Sequence, residues 1–194
     1  MSSKVFLCGK TLYDKDIREP LFFFLEETYG KVRFFEEKII GRSRADVMMV
    51  IEYALVGIEI KSDADTYTRL KSQVRDYNRY FDYNYIVIGT SHAQHVFEHV
   101  PEEWGIITVE LVDGNPDFYI LRRPRKNPKC KMGNQLSLLW RRELENLKRD
   151  YIQFKYADKS KEFLRKKILE KIPEDKLHER IAGELFERDY TTLK

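Results

Sequence analysis

Apolar positions recur along this chain with two different periods, and spacing changes from mixed to wholly helical at about residue 122. Asp16 and Glu19 have the spacing of a helix cap, Pro20 is tolerated in a first turn, and Gly30 offers a stop, so a helix is expected over about 16–29. Three strand-like runs follow: Val32 to Glu37, Ala45 to Ile51 and Ala54 to Lys61. Leu70, Gln73, Val74, Tyr77 and Phe81 then recur three or four apart after Asp65 and Thr66, which predicts a helix over about 66–81. Tyr85 to Gly89 reads as a short buried strand, and Ile106 to Leu111 and Phe118 to Leu121 are two further strand candidates. The resulting fold class is α/β (α+β), an αβββαβ core with a mixed, partly antiparallel sheet.

Downstream, Leu136, Leu139, Trp140, Leu144 and Leu147 form one helical stripe. Phe163, Leu164, Ile168 and Ile172 form a second, ended by Pro173, and a third runs from about Leu177 to Phe186. Each stripe must cover apolar surface on the core, on its neighbours or on a second copy of the chain. The expected organisation is a core over 1–121, a basic linker over 122–133 containing Pro124 and Pro128, and a helical C-terminal extension over 134–194.

Composition narrows the class without naming a function. With 42% hydrophobic and 35% charged residues in 194, the chain is neither low-complexity nor wholly disordered. Its longest apolar clusters, Leu21 to Leu25 and Val47 to Ile51, fall far short of a bilayer span of roughly 20 residues. The cluster from Val5 to Cys8 is too short for a signal-peptide core, so the expectation is a cytoplasmic protein without a membrane segment. Cys8 and Cys130 have no CxxC spacing, which argues for free thiols. The net charge of +3 conceals an asymmetry: residues 1–121 hold 14 Lys and Arg against 20 Asp and Glu, while residues 122–131 hold six bases and no acid.

Three charged residues interrupt the apolar pattern of the second and third strands. If those strands pair about a turn at Glu52 and Tyr53, Asp46 falls directly opposite Glu59, and opposed Cβ atoms lie about 4.5–5.5 Å apart on one face. Lys61 projects to that same face, whereas Ile58 and Ile60 project to the other. Two carboxylates this close repel, and a divalent cation relieves the repulsion. Hard oxygen ligands without a nearby Cys or His favour Mg²⁺ or Mn²⁺ over zinc, with the Ile60 carbonyl as an additional ligand. Such an ion could orient a water and neutralise charge developing on a phosphate, with Lys61 as electrostatic stabiliser or proton-transfer group, which suggests phosphodiester hydrolysis.

These residues resemble the PD-(D/E)XK nuclease superfamily, whose restriction-endonuclease-like core carries an acid and an acid-x-lysine motif on a β-hairpin. The motif here reads Arg44-Ala45-Asp46 and Glu59-Ile60-Lys61, with Ala45 in place of the usual proline. Gln73 and Tyr77 look like the glutamine-tyrosine motif of the RecB-like branch, a resemblance that implies both line the site and help position catalytic groups, and their i, i+4 spacing puts them on one helical face. A closer resemblance, over about residues 16–110, is to a group of small bacterial and phage members of that superfamily. It is carried by Arg18-Glu19-Pro20, Arg42 to Asp46, Gly57 to Asp63, Asp65-Thr66, Arg69-Leu70, Gln73, and Val100 to Ile106. The resemblance implies DNA as substrate and a third acid before the first motif. Glu37, nine residues ahead of Asp46, best fits that place, with Glu19 and Glu36 as rivals.

The basic segment offers Arg122, Arg123, Arg125 and Lys126 as phosphate contacts, which predicts strongly salt-dependent binding. The expected function is Mg²⁺- or Mn²⁺-dependent cleavage of DNA. Alternatives are a catalytically silent nucleic-acid- or protein-binding module on the same fold, and an RNA-directed nuclease. A protein partner or a homodimer is a further expectation. Other residues have plainer readings: Asp63 and Asp65 as turn and cap residues, Arg69 as an exposed helical arginine in preference to a phosphate contact, His92, His95 and His99 as solvent-facing, and Trp104 as a packed turn residue.

Overall fold

Six strands form one mixed sheet whose spatial order follows the chain in the computed structural model, which describes residues 12–62, 65–89, 95–149, 151–153 and 158–192. Strands β1 (Arg33–Ile40), β2 (Ser43–Ile51) and β3 (Ala54–Lys61) make an antiparallel meander. Strands β4 (Tyr83–Gly89) and β5 (Gly105–Val112) continue in parallel, and β6 (Asn115–Arg122) closes the sheet antiparallel to β5. Helix α1 (Asp14–Tyr29) packs on one face, and α2 (Leu70–Tyr80) lies between β3 and β4 in the chain and packs on the other. The expected αβββαβ order and mixed sheet are therefore present.

Differences from the sequence reading lie at element ends and have local causes. Helix α1 starts two residues early, because Asp16 sits inside its first turn and accepts the Tyr13 N–H at 3.3 Å. Pro20 consequently falls in the second turn rather than the first. β1 and β2 extend toward each other until only Gly41 and Arg42 separate them; Gly41, at φ 61°, takes the left-handed backbone of a tight hairpin. Helix α2 begins at Leu70, preceded by a 3₁₀ turn over Tyr67–Arg69, rather than at residue 66.

The alternating side chains of the strands divide between two cores, one on each face of the sheet. Ile17, Leu21 and Leu25 of α1 pack with Val47, Met49, Ile58 and Val87 on one side of the sheet. On the other side, Met48, Val50, Leu55 and Ile86 share a cluster with Tyr77 and Phe81 and with the C-terminal helices. Those helices are α3 (Met132–Ser137), α4 (Arg141–Lys148), α5 (Lys161–Lys171) and α6 (Glu174–Phe186). The stripe expected as one helix from Leu136 to Leu147 divides at Leu138–Trp140, where Glu143 accepts the Trp140 N–H at 2.6 Å and starts α4. Leu144, Leu164, Ile168, Leu177 and Ile181 join the same buried cluster, so the stripes cover the sheet and one another. At about 1.5–3 kcal/mol for each fully buried Leu or Ile, the extension adds much of this core.

The expected basic linker overlaps β6 at Arg122 and α3 at Met132. Buried Asn127 fixes it in between: its amide donates to the carbonyls of Asn78 at 2.8 Å and Phe81 at 2.7 Å, at the corner joining α2 to β4. Among the described residues, no helix is long and apolar enough to cross a membrane.

Candidate active site

Strands β2 and β3 pair from Ile51 opposite Ala54 to Val47 opposite Ile58, the register that sets Asp46 against Glu59. At that next position side chains replace the backbone ladder. The Asp46 N–H donates to the Tyr77 hydroxyl at 3.1 Å, and the Ile60 N–H donates to Asp46 Oδ2 at 2.8 Å. Tyr77 donates in turn to the Ile58 carbonyl at 3.1 Å. Buried backbone groups are satisfied while the strands part, which opens room beside the acids. Tyr77, expected to line the site, thus bridges two strands from a fully buried position. Ile60 reaches Asp46 through its N–H, not through the carbonyl expected to hold metal.

Gly57 permits the close seating of α2 on β3. A Cβ there would lie 2.2 Å from Phe81 Cδ2 and 2.7 Å from Tyr77 Cδ1. Because the helix lies so near, Gln73, one turn before Tyr77, donates to Glu59 Oε1. Lys61 Nζ meets the same oxygen at 2.5 Å. Glu59 is fully buried, and its Oε2 has no hydrogen-bond partner among the described residues.

Burial, reinforced by the charge of Glu59, pushes Asp46 up to about 7. A buried Glu59 beside a half-buried Asp46, mutually repulsive and short of one donor at Glu59 Oε2, suits a hard divalent cation, so the donor set fits Mg²⁺ or Mn²⁺.

Glu37 sits in the same row, since the pairs Glu36–Val47 and Lys38–Ala45 flank the position where it faces Asp46. Its backbone is left-handed, at φ 54°, which costs a non-glycine residue on the order of 1 kcal/mol. One carboxylate oxygen meets Arg18 at 2.9 Å, and the other is bonded by Arg44. Arg18 also pairs with Asp14 at 2.7 Å and Glu36 at 3.1 Å, and reaches the Asp46 carbonyl at 3.4 Å. Glu37 is therefore drawn to arginines rather than to Asp46 and Glu59, and among the described residues no three His, Cys, Asp or Glu side chains are grouped to hold a metal. Of its rivals, Glu36 is exposed and paired with Arg18, and Glu19 is exposed.

Asp46, Glu59, Lys61, Gln73, Glu37 and Arg18 line a cavity of about 520 Å³, together with Arg42, Ser43, Asp65 and Arg69. A family model described as bacteriophage P4 protein cII matches residues 11–192. The chain belongs to the bacteriophage P4 protein cII family. No curated protein and no solved structure matches it. In this P4 cII-family chain the matched span takes in every strand and helix described, the cavity and the C-terminal helices alike.

The basic segment of this P4 cII-family chain is not brought into the cavity. Arg122 donates to the carbonyls of Trp104 at 2.7 Å and Pro101 at 2.8 Å, and Arg125 pairs with Glu102 at 2.9 Å, whereas Arg123 and Lys126 are exposed. Asp65 forms the expected turn by accepting from the Ser62 N–H at 2.8 Å and hydroxyl at 2.7 Å. His95 and His99 are exposed, and Trp104 is buried with its indole donating to Asn78 at 2.7 Å. Cys8, Asp63 and His92 lie outside the described residues.

Two positioning groups had no distinct signal. Buried Asp76 accepts from the Arg42 N–H at 3.3 Å and the Ser43 hydroxyl at 2.7 Å, pinning the β1–β2 turn to α2. Arg18 stood out in sequence only as part of a motif, because its four partners converge from α1, β1 and β2.

Proposed function

We propose that the protein is a Mg²⁺- or Mn²⁺-dependent nuclease hydrolysing DNA phosphodiester bonds. The observation that carries this reading is the half-buried Asp46 beside the buried Glu59, with Glu59 Oε2 unpartnered among the described residues, facing Lys61 and Gln73 in a polar cavity. Asp46 and Glu59 would hold the ion, the Ile60 carbonyl would be a further ligand, and Glu37 could join only by giving up Arg18 or Arg44. A bound divalent ion supplies charge neutralisation at the phosphate and acidifies a water.

The chain's own groups do the remaining work. Gln73 fixes the orientation of the Glu59 carboxylate, and Tyr77 fixes the separation of β2 from β3. Lys61 places an ammonium at the rim of the acid pair, where it can stabilise negative charge on a phosphate oxygen and deliver a proton. The supporting test is cleavage of single- and double-stranded DNA with Mg²⁺, Mn²⁺ or EDTA, comparing the native chain with Asp46→Asn and Lys61→Ala. Metal-dependent cleavage lost in both variants supports the reading, and full activity in Asp46→Asn refutes the ligand assignment.

The engagement of both Glu37 oxygens by arginines favours one second reading, a binding module without turnover. Its signature would be salt-sensitive DNA binding with no cleavage in any metal. An RNA strand of the same sequence, offered in parallel, separates a ribonuclease from both.

A further inference from the structure

We infer that Arg42 and Arg69 are the phosphate-docking residues of the cavity, holding DNA backbone phosphates beside the one that reaches Asp46 and Glu59. The inference rests on the nuclease reading and adds where the strand is held. Five cationic side chains line this cavity: Arg18, Arg42, Arg44, Lys61 and Arg69. Three of them are committed to acids, Arg18 to Asp14, Arg44 to Glu37 and Lys61 to Glu59. The guanidinium groups of Arg42 and Arg69 have no hydrogen bond or ion pair among the described residues, and both residues are exposed.

Their backbones are nevertheless held in place. Arg42 sits on the two-residue β1–β2 turn that buried Asp76 pins through the Arg42 N–H and the Ser43 hydroxyl. Arg69 ends the 3₁₀ turn that leads into α2, and its carbonyl accepts from the Ser72 hydroxyl at 2.8 Å. Two cations on anchored turns, without an acid partner among the described residues and opening onto one polar cavity, match a polyanion with regularly spaced charge. Arginine suits it further because its planar fork binds phosphate oxygens two at a time. The basic run over 122–131 is less suited, since Arg122 and Arg125 are already bonded within the fold.

The test is binding of a fluorescein-labelled DNA 30-mer, single- and double-stranded, in Ca²⁺ and in EDTA over a salt series. The native chain is compared with Arg42→Ala/Arg69→Ala and with Arg123→Ala/Lys126→Ala. The first double variant should bind at least about tenfold more weakly, with its salt slope on the duplex reduced by about 2, and should keep the native melting temperature. The second should bind within about twofold of native, as expected of residues outside the cavity. Native affinity and slope in Arg42→Ala/Arg69→Ala overturn the inference while leaving the nuclease reading intact if that variant still cleaves with Mg²⁺. A native chain that neither binds nor cleaves DNA overturns both, and a tenfold preference for an RNA strand of the same sequence overturns the choice of polymer.

Discussion

Replacing Gly57 with alanine tests the claim that α2 must rest directly on β3. The added methyl would meet Phe81 Cδ2 at 2.2 Å, Phe81 Cε2 at 2.7 Å and Tyr77 Cδ1 at 2.7 Å. Two rings must therefore move by roughly an ångström, since ordinary carbon contacts lie near 3.5–4.0 Å. Neither can swing into solvent, because Tyr77 and Phe81 are both fully buried, and Tyr77 also packs against Trp104 with ring centroids 5.4 Å apart. Overpacking of this kind costs about 1–3 kcal/mol, and the three sub-3 Å contacts put Gly57→Ala at the upper end. Urea unfolding followed by tryptophan fluorescence gives the value. The same retreat of α2 draws Gln73 from Glu59 and the Tyr77 hydroxyl from the Asp46 N–H, so on the proposed nuclease reading metal-dependent turnover should fall further than stability explains. In a Phe81→Ala background, itself costing about 3–5 kcal/mol, the Gly57→Ala increment should shrink by at least about 1 kcal/mol, because the nearest clash is gone. A Gly57→Ala protein within about 0.5 kcal/mol of native would refute the close-packing argument.

Three further outcomes are expected. Arg188 and Glu143 are buried and joined by two hydrogen bonds of 2.6 Å, so Glu143→Ala should cost about 3–5 kcal/mol in a denaturant melt by leaving the guanidinium uncompensated; a loss below about 1 kcal/mol would contradict it. Burial, aided by the charge of Asp82, pushes the Cys130 thiol up to about 12. In a Cys8→Ser protein, Cys130 should then react with a thiol reagent at pH 8 on the order of 1,000-fold more slowly when folded than in denaturant, and similar rates would overturn the assignment. Asp46 is raised in the folded state from 3.8 to about 7, so its contribution to stability is present below pH 4 and fades as pH rises to 7. Asp46→Asn in EDTA at pH 8 should therefore melt a few degrees higher than native, with no such gain at pH 4; equal melting temperatures at pH 8 would count against a strained acid pair.

How much of the site was legible follows from how local each signal was. Asp46 opposite Glu59 needed only a two-residue turn and the alternation of a strand, both contained in about sixteen consecutive residues. Gln73 and Tyr77 were visible as one face of a helix, yet nothing local told a cavity-facing amide from a hydroxyl bonded to two strand backbones. Glu37 was found by its distance from Asp46, but its left-handed backbone and its two arginines come from α1 and β2 and leave no trace in the spacing. The basic run drew attention as a block of like charge, whereas the cations that line the cavity are scattered singly from Arg18 to Arg69. The hairpin joining β5 to β6 has its own local signal in Asp113-Gly114, both with positive φ.

The tie between Arg33 and the carbonyls of Phe186 and Arg188 has a consequence for synthesis on the ribosome. Each strand pairs with its neighbour in sequence, so the sheet can assemble as the chain emerges. The side of the sheet bearing Met48, Val50 and Leu55 waits much longer for its full cover, because α6, which packs on β2 and β3, is made last and lies more than a hundred residues away. At roughly 5–20 residues per second, that apolar surface stays exposed for several seconds after β3 is complete. A nascent chain stalled before residue 174 should accordingly be a better chaperone client than one released in full.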